Sequence, residues 1–343
     1  MTHRQKLVCS AAVLAAFSCV ILFAGFFAPY GFAAQDRNAP FVPPTAIHFV
    51  DAAGAVHIHL FVYGPRDSTQ TPPAAEVLSE QSYSLHWFVR GAPYKIAGVF
   101  TSRVHLFGVE KPARIFLMGS DAYGRDQFSR FLYGGQISLL AGLIAAILSV
   151  SLGILIGGIA GYYGGWLDGI LMRVGELFLA LPWLYLLFAV RAALPLHISQ
   201  WQVFLLLISV MGLIGWARPA RLIRGVVLSA KERNFVLAAR GFGASDAYLL
   251  RRHVLPQTYA VLLTQITLLV PQYVLAEVTL TFLGLGVGEP MPSWGALLSS
   301  LQQYSVLASY WWMFLPALLL IPLFVVFYAA ADALQELHKS VPL

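Results

Sequence analysis

The sequence predicts an all-α polytopic membrane protein with six transmembrane helices and one small, mostly β insertion outside the membrane. Three observations predict it. Charged residues make up 11% of the 343 positions and hydrophobic residues 58%, whereas a soluble domain carries about 25% charge. Charge-poor windows long enough to cross a bilayer recur along the chain, at 7–28, 136–160, 169–190, 201–217, 258–284 and 309–331. The cations gather instead between two of them, at 218–256. Two cysteines, Cys9 and Cys19, exclude a disulfide scaffold or a Cys-rich metal site and read as lipid-facing or packing residues.

The first window follows Arg4 and Lys6, and Gly31-Phe32-Ala33 offers a small-x-small cleavage site. An apolar core from Leu7 to Ala28 is long for a cleaved signal, so residues 1–30 read as a retained helix. The stretch 31–118 differs in composition: over 35–115, prolines 40, 43, 44, 65, 72 and 73 punctuate short apolar or alternating runs such as 56–62, the pattern of strands and turns. His57 and His59 would share a strand face, without a third ligand nearby for a metal.

From 119 to 343 the chain reads as a helical membrane domain. Gly153, Gly157 and Gly161 recur every four residues in the second window, a small-residue stripe that lets another backbone approach closely. Pro182, Pro271, Pro316 and Pro322 fall inside windows and should kink or open their helices. Arg173 and Glu176, three apart, can pair on one helix face. Glu277 lies alone among apolar neighbours in the fifth window; it reads either as a pathway or gate residue or as a packing hydrogen bond.

Orientation follows from the loops. Arg218, Arg221, Arg224, Lys231, Arg233, Arg240, Arg251 and Arg252 stand against Glu232 and Asp246 in 218–256, which places that loop and both termini in the cytoplasm. The loop reads as helix, break, helix: good helix formers over 230–240, Gly243 as a stop, Ser245 or Asp246 as a cap, and Pro256 closing it before the fifth span. Ala238, Ala239 and Gly243 give a small-residue surface ringed by cations, suited to docking another protein or to lying on anionic lipid. No Gly-Lys pair, His-Glu-x-x-His or Gly-x-Ser-x-Gly exists in the chain, so no ATPase or hydrolase site is expected.

The order Ala238-Ala239, Gly243, Leu255-Pro256 resembles the cytoplasmic E-A-A-x3-G-x9-I-x-L-P loop of bacterial ABC importer permeases, with Leu237 in place of Glu and His253 in place of Ile. Gly119-Ser120-Asp121-Ala122-Tyr123-Gly124-Arg125-Asp126 resembles the G-T-D-x-x-G-R-D segment of the C-type subunit in the dipeptide/oligopeptide/nickel subfamily. The runs 161–168, 282–286 and 292–295 resemble that subfamily's G-Y-x-G-G-x-x-D, F-L-G-L-G and P-S-W-G elements.

The resemblance implies a type I ABC importer permease fold in a bacterial inner membrane. Its function would be half of a transmembrane pathway for di- or oligopeptides or a related small solute. Implied partners are a B-type second permease, two cytoplasmic ATPases that bind the ATP and Mg, an extracytoplasmic binding protein and the lipid bilayer; no nucleic acid, cofactor or metal is expected on this chain. Leu237, Ala238, Ala239, Arg240, Gly243, Asp246, Leu255 and Pro256 would form the ATPase-facing coupling elbow, and Gly124, Arg125 and Asp126 either a gate contact or a turn stapled by its own ion pair. Two other classes remain: an ion-coupled secondary transporter titrating Glu277, and a membrane-anchored sensor or enzyme with its active part in 35–115.

Overall fold

The computed structural model describes residues 3–51, 55–64, 82–96, 99–192 and 199–340. Pro65, Pro72 and Pro73 lie outside them. In chain order the elements are α1 (His3–Leu22), α2 (Ala24–Phe27), β1 (His48–Val50), β2 (Val56–Tyr63), β3 (Ser82–Ile96), β4 (Phe100–Val109), α3 (Gln127–Tyr163), α4 (Gly165–Ala180), α5 (Trp183–Ala192), α6 (Gln200–Gly215), α7 (Ala217–Lys231), α8 (Asn234–Gly241), α9 (Asp246–Leu249), α10 (Tyr259–Phe282), α11 (Trp294–Ser299), α12 (Tyr304–Ser309) and α13 (Leu315–Ser340).

Among the described residues, five helices are long and apolar enough to cross a membrane: His3–Leu22, Gln127–Tyr163, Gln200–Lys231, Asp246–Phe282 and Trp311–Glu336. Six windows were expected. The difference is 169–190, which the structure divides at Pro182. Leu181 is extended there (φ −76°, ψ 131°), as sterics demand before a proline. This leaves α4 with 16 residues and α5 with 10 among the described residues, each short of the roughly 20 that a crossing needs. Pro271 and Pro322 sit inside continuous helices; Pro316 occupies the first turn of α13, where its missing N–H removes no hydrogen bond.

The chain divides into two compact units. One comprises 1–14, 138–287 and 322–343, the other 15–137 and 288–321. In the first, the glycine stripe of α3 lies against α7. A Cβ at Gly153 would stand 2.6 Å from Pro219 Cβ, one at Gly157 would run into the Ala220 carbonyl, and one at Gly161 would stand 2.9 Å from Val227 Cβ. The backbones therefore meet directly, which is how helices pack where lipid removes the hydrophobic drive.

The second unit carries a four-stranded antiparallel sheet in the order β1-β2-β3-β4. Its apolar core is Val62, Leu85, Phe107, Ala113 and Ile115. The expected strand over 56–62 is β2. His57 pairs with Asp51 (Nε2 to Oδ2, 3.0 Å), and among the described residues no group of His, Cys, Asp and Glu could hold a metal ion. Trp294, fully buried, donates from Nε1 to the Phe131 carbonyl at 3.0 Å.

Candidate functional site

The basic loop forms an elbow with a closed inner face and an open outer one. Helix α7 runs on to Lys231 and α8 starts at Asn234, so a further break at Glu232-Arg233 precedes the expected one at Gly243. Helix α8 then ends in paired reverse hydrogen bonds, Gly243 N–H to Arg240 O at 2.9 Å and Ala244 N–H to Ala239 O at 3.2 Å. This ending needs a left-handed residue after the cap, and Gly243 supplies it with φ +86°. The Ser245 hydroxyl accepts from Tyr248 N–H and starts α9. Val236, Leu249 and Val254, each fully buried, anchor the elbow on Tyr162, Ile223, Val227 and Ala230.

Polar contacts lock the elbow to the end of α3. Tyr162 donates its hydroxyl proton to Asp246 Oδ1 at 2.7 Å and accepts from Arg240 Nη2 at 3.0 Å. Lys231 Nζ donates to the Gly161 carbonyl at 3.1 Å, a cation against carbonyls at a helix C-terminus. Arg224 holds Asp168 through two bonds of 2.5 Å, and those hydrogen bonds keep the Asp168 carboxyl below its ordinary range.

The elbow residues expected at a partner surface divide by side. Ala239 and Leu255 pack inward against the buried cluster. Leu237, Ala238, Arg240, Asp246 and Pro256 are exposed. Gly243 has open space around its Cα. The sequence reading missed the aromatic residues: Phe242 is 93% exposed, while Phe235 and Tyr248 are about half exposed and both pack against the His253 ring. An almost fully exposed Phe242 on a loop anchored by its other face is the feature that the residue pattern did not signal.

Glu277 is fully buried in α10. Its carboxylate accepts from Ser138 Oγ at 2.6 Å on α3 and from Thr281 Oγ1 at 2.8 Å on its own helix. One turn earlier, Tyr273 hydroxyl and Ser149 Oγ lie 2.7 Å apart, joining the same two helices. The exposed pair Arg173–Glu176 forms as expected, at 3.1 Å.

In the second unit, Gly124 takes φ +66° beneath the Asp36 carbonyl, where a Cβ would collide. The turn closes on Asp121, whose Oδ1 accepts from Tyr123 N–H and Arg125 N–H and whose Oδ2 lies 2.7 Å from Arg125 Nε. Asp126 caps α3 by accepting from Ser129 N–H and Oγ. Burial raises its carboxyl to about 6 despite the Ser129 bonds that pull it down. The turn reaches further than its own ion pair: Glu289 bridges Arg125 (2.9 Å) and Arg130 (2.8 Å). Burial would raise Glu289, but the Arg130 and Arg125 charges outweigh it and hold the carboxyl low.

The chain is thus a helical membrane protein whose basic loop is an elbow packed on its inner face and carrying Phe242 exposed on its outer one. Residues 153–337 match the model of the binding-protein-dependent transport system inner membrane component, and the chain belongs to that family. It is 35% identical over 226 residues to the dipeptide transport system permease protein DppC of Bacillus subtilis (strain 168), covering 66% of this chain and 68% of that one. It is 38% identical over 218 residues to the glutathione transport system permease protein GsiD of Escherichia coli O6:K15:H31 (strain 536 / UPEC), covering 64% and 70%. Among solved structures, an amino acid ABC transporter with histidines aligns at a TM-score of 0.45 and 17% identity, over 62% of this chain and 94% of that one. The chain is a multi-pass membrane permease subunit of the peptide ABC importer family, in a class that works with a substrate-binding protein and separate ATPases.

Proposed function

We propose that the chain is the C-type half of a heterodimeric importer for short peptides bearing a free carboxylate, the chemistry shared by the dipeptide and glutathione that the two relatives carry. The B-type permease completes the pathway, two ATPases bind ATP and Mg in the cytoplasm, and a binding protein delivers solute from outside. Both termini and 218–256 face the cytoplasm, supported by the cation count of that loop. The pair α4–α5, broken at Pro182, makes the sixth crossing, and 31–118 is an extracytoplasmic insertion.

The elbow carries the reading. Its inner face cannot shift without α3 and α7, because Val236 and Leu249 are buried against them and Tyr162 ties both arms. Its outer face offers Phe242, Leu237 and Ala238 to a groove on an ATPase, and Arg240 and Asp246 are the charged contacts. Where the relatives' motif has Glu, Leu237 is 45% exposed and apolar, so contact there is made by burial rather than by a carboxylate. Closing of the ATPase pair then moves the elbow and the helices to which it is fastened as one piece. Glu277 serves the same bundle by fastening α10 to α3.

Gly243→Trp tests it. Membrane insertion should persist while ATP-dependent uptake and solute-stimulated ATPase activity of the assembled complex disappear; normal stimulation in the variant would refute the assignment.

A further inference from the structure

Residues Arg130 and Gln127 lie in the first turn of α3 and are 2% and 0% exposed. Both line a cavity of about 270 Å³ together with Asp121, Arg125 and Glu289. A water molecule occupies roughly 30 Å³ in the liquid, so this space admits a carboxylate and several further heavy atoms. Among the described residues, Arg130 Nε and Nη1 and Gln127 Oε1 have no hydrogen-bond partner. Leaving such groups buried and unpaired costs about 1–3 kcal/mol each, more for a charged one, and a permanent guanidinium cannot lose its charge to escape that cost.

The four charges around the cavity cancel, but they are not held alike. Asp121 is buried, bonded within its turn, and places Oδ2 3.9 Å from Arg130 Nε. Glu289 is 49% exposed at its side chain and reaches in from the segment after α10 to bridge Arg125 Nη1 and Arg130 Nη2. Its carboxylate sits on the arginine pair as a ligand's would, with one face in solvent.

We propose that the Arg125–Arg130 pair is a receiving site for the carboxylate of the transported solute, and that Glu289 is a built-in competitor that the solute displaces. The arriving carboxylate takes the bonds to Nη1 of Arg125 and Nη2 of Arg130 and gains the unpaired Nη1 of Arg130. Gln127 Oε1 accepts an N–H beside that carboxylate. A carboxylate with a neighbouring N–H is the C-terminal end of a peptide; the inference thus rests on the short-peptide reading above and adds a recognition point to it.

The test is equilibrium dialysis of the full chain in lipid nanodiscs with radiolabelled alanyl-alanine and its C-terminal amide. Glu289→Gln removes the competing charge and keeps the side-chain shape, so alanyl-alanine should bind about tenfold tighter, or about 1.4 kcal/mol. The amide should bind at least tenfold more weakly than the acid, and Arg130→Lys should abolish the difference between them. An unchanged or weaker affinity in Glu289→Gln, equal binding of acid and amide, or no binding of either would overturn the site. ATP-driven dipeptide uptake by the assembled wild-type complex separates the two proposals. Uptake without a Glu289 effect refutes the site alone. Acetate binding with the Glu289 effect but no peptide uptake refutes the peptide reading and leaves an anion site.

Discussion

Truncating Phe242 isolates the outer face of the elbow from everything beneath it. The ring is 93% exposed, so Phe242→Ala removes nothing that holds the chain together; surface changes of this kind stay within about 0.5 kcal/mol of stability. If the ring fills a groove on an ATPase, nearly all of its apolar surface is covered there, and burying such a side chain is worth about 1.5–3 kcal/mol. At about 1.4 kcal/mol per tenfold, the variant should bind the cognate ATPase subunits roughly thirtyfold more weakly. Titration of nanodisc-embedded permease with labelled ATPase gives the affinity, and thermal unfolding of the same samples gives the control. Wild-type affinity within threefold would refute the docking role. A fall in thermal midpoint accompanying the loss would refute the division between inner and outer faces.

Tyr162→Phe deletes the hydroxyl that bonds Asp246 and Arg240. It should cost about 1 kcal/mol of stability and lower transport per ATP hydrolysed while leaving ATPase binding intact, read from coupled uptake and hydrolysis in proteoliposomes. Gly157→Leu drives a side chain into the Ala220 backbone and should destabilise the fold by about 1–3 kcal/mol or more; Gly169→Leu, at a position with open space, should not, and melting curves compare the two. Burial raises the Asp126 carboxyl to about 6 in the folded chain, from an ordinary value of 3.8. A carboxyl raised on folding binds more protons in the native state, so its contribution is full below pH 4 and lost as pH rises through 6. Asp126→Asn should therefore flatten that part of the stability-versus-pH curve, worth about 3 kcal/mol at 1.36 kcal/mol per unit, as followed by thermal midpoints between pH 4 and 7.

The helices and the elbow were legible in the sequence because their signals are local. A run of apolar residues, a small residue every fourth position and a glycine after a helix former each report a constraint that neighbouring residues impose. Gly243 at positive φ, Ser245 as a cap and the α3 stripe all follow from such constraints. The break at Pro182 was visible as a proline, but not its consequence, because Pro271 and Pro322 in similar company leave their helices continuous. Contacts between distant segments were not legible. Ser138 lies 139 residues from Glu277 and Glu289 lies 159 from Arg130, and nothing in either local pattern marks its partner. Glu277, the one carboxylate in its window, is answered by Thr281 on its own helix and by Ser138 from another.

The elbow is the proposed place where an ATP-hydrolysing subunit grips this chain. A photoreactive side chain placed at Ala238, exposed on that surface, tests this in intact membranes. Irradiation should join the permease to an ATP-binding subunit, and the adduct should be lost in Gly243→Trp. Adducts to lipid alone, or labelling of position 238 by a membrane-impermeant reagent from outside the cell, would contradict it.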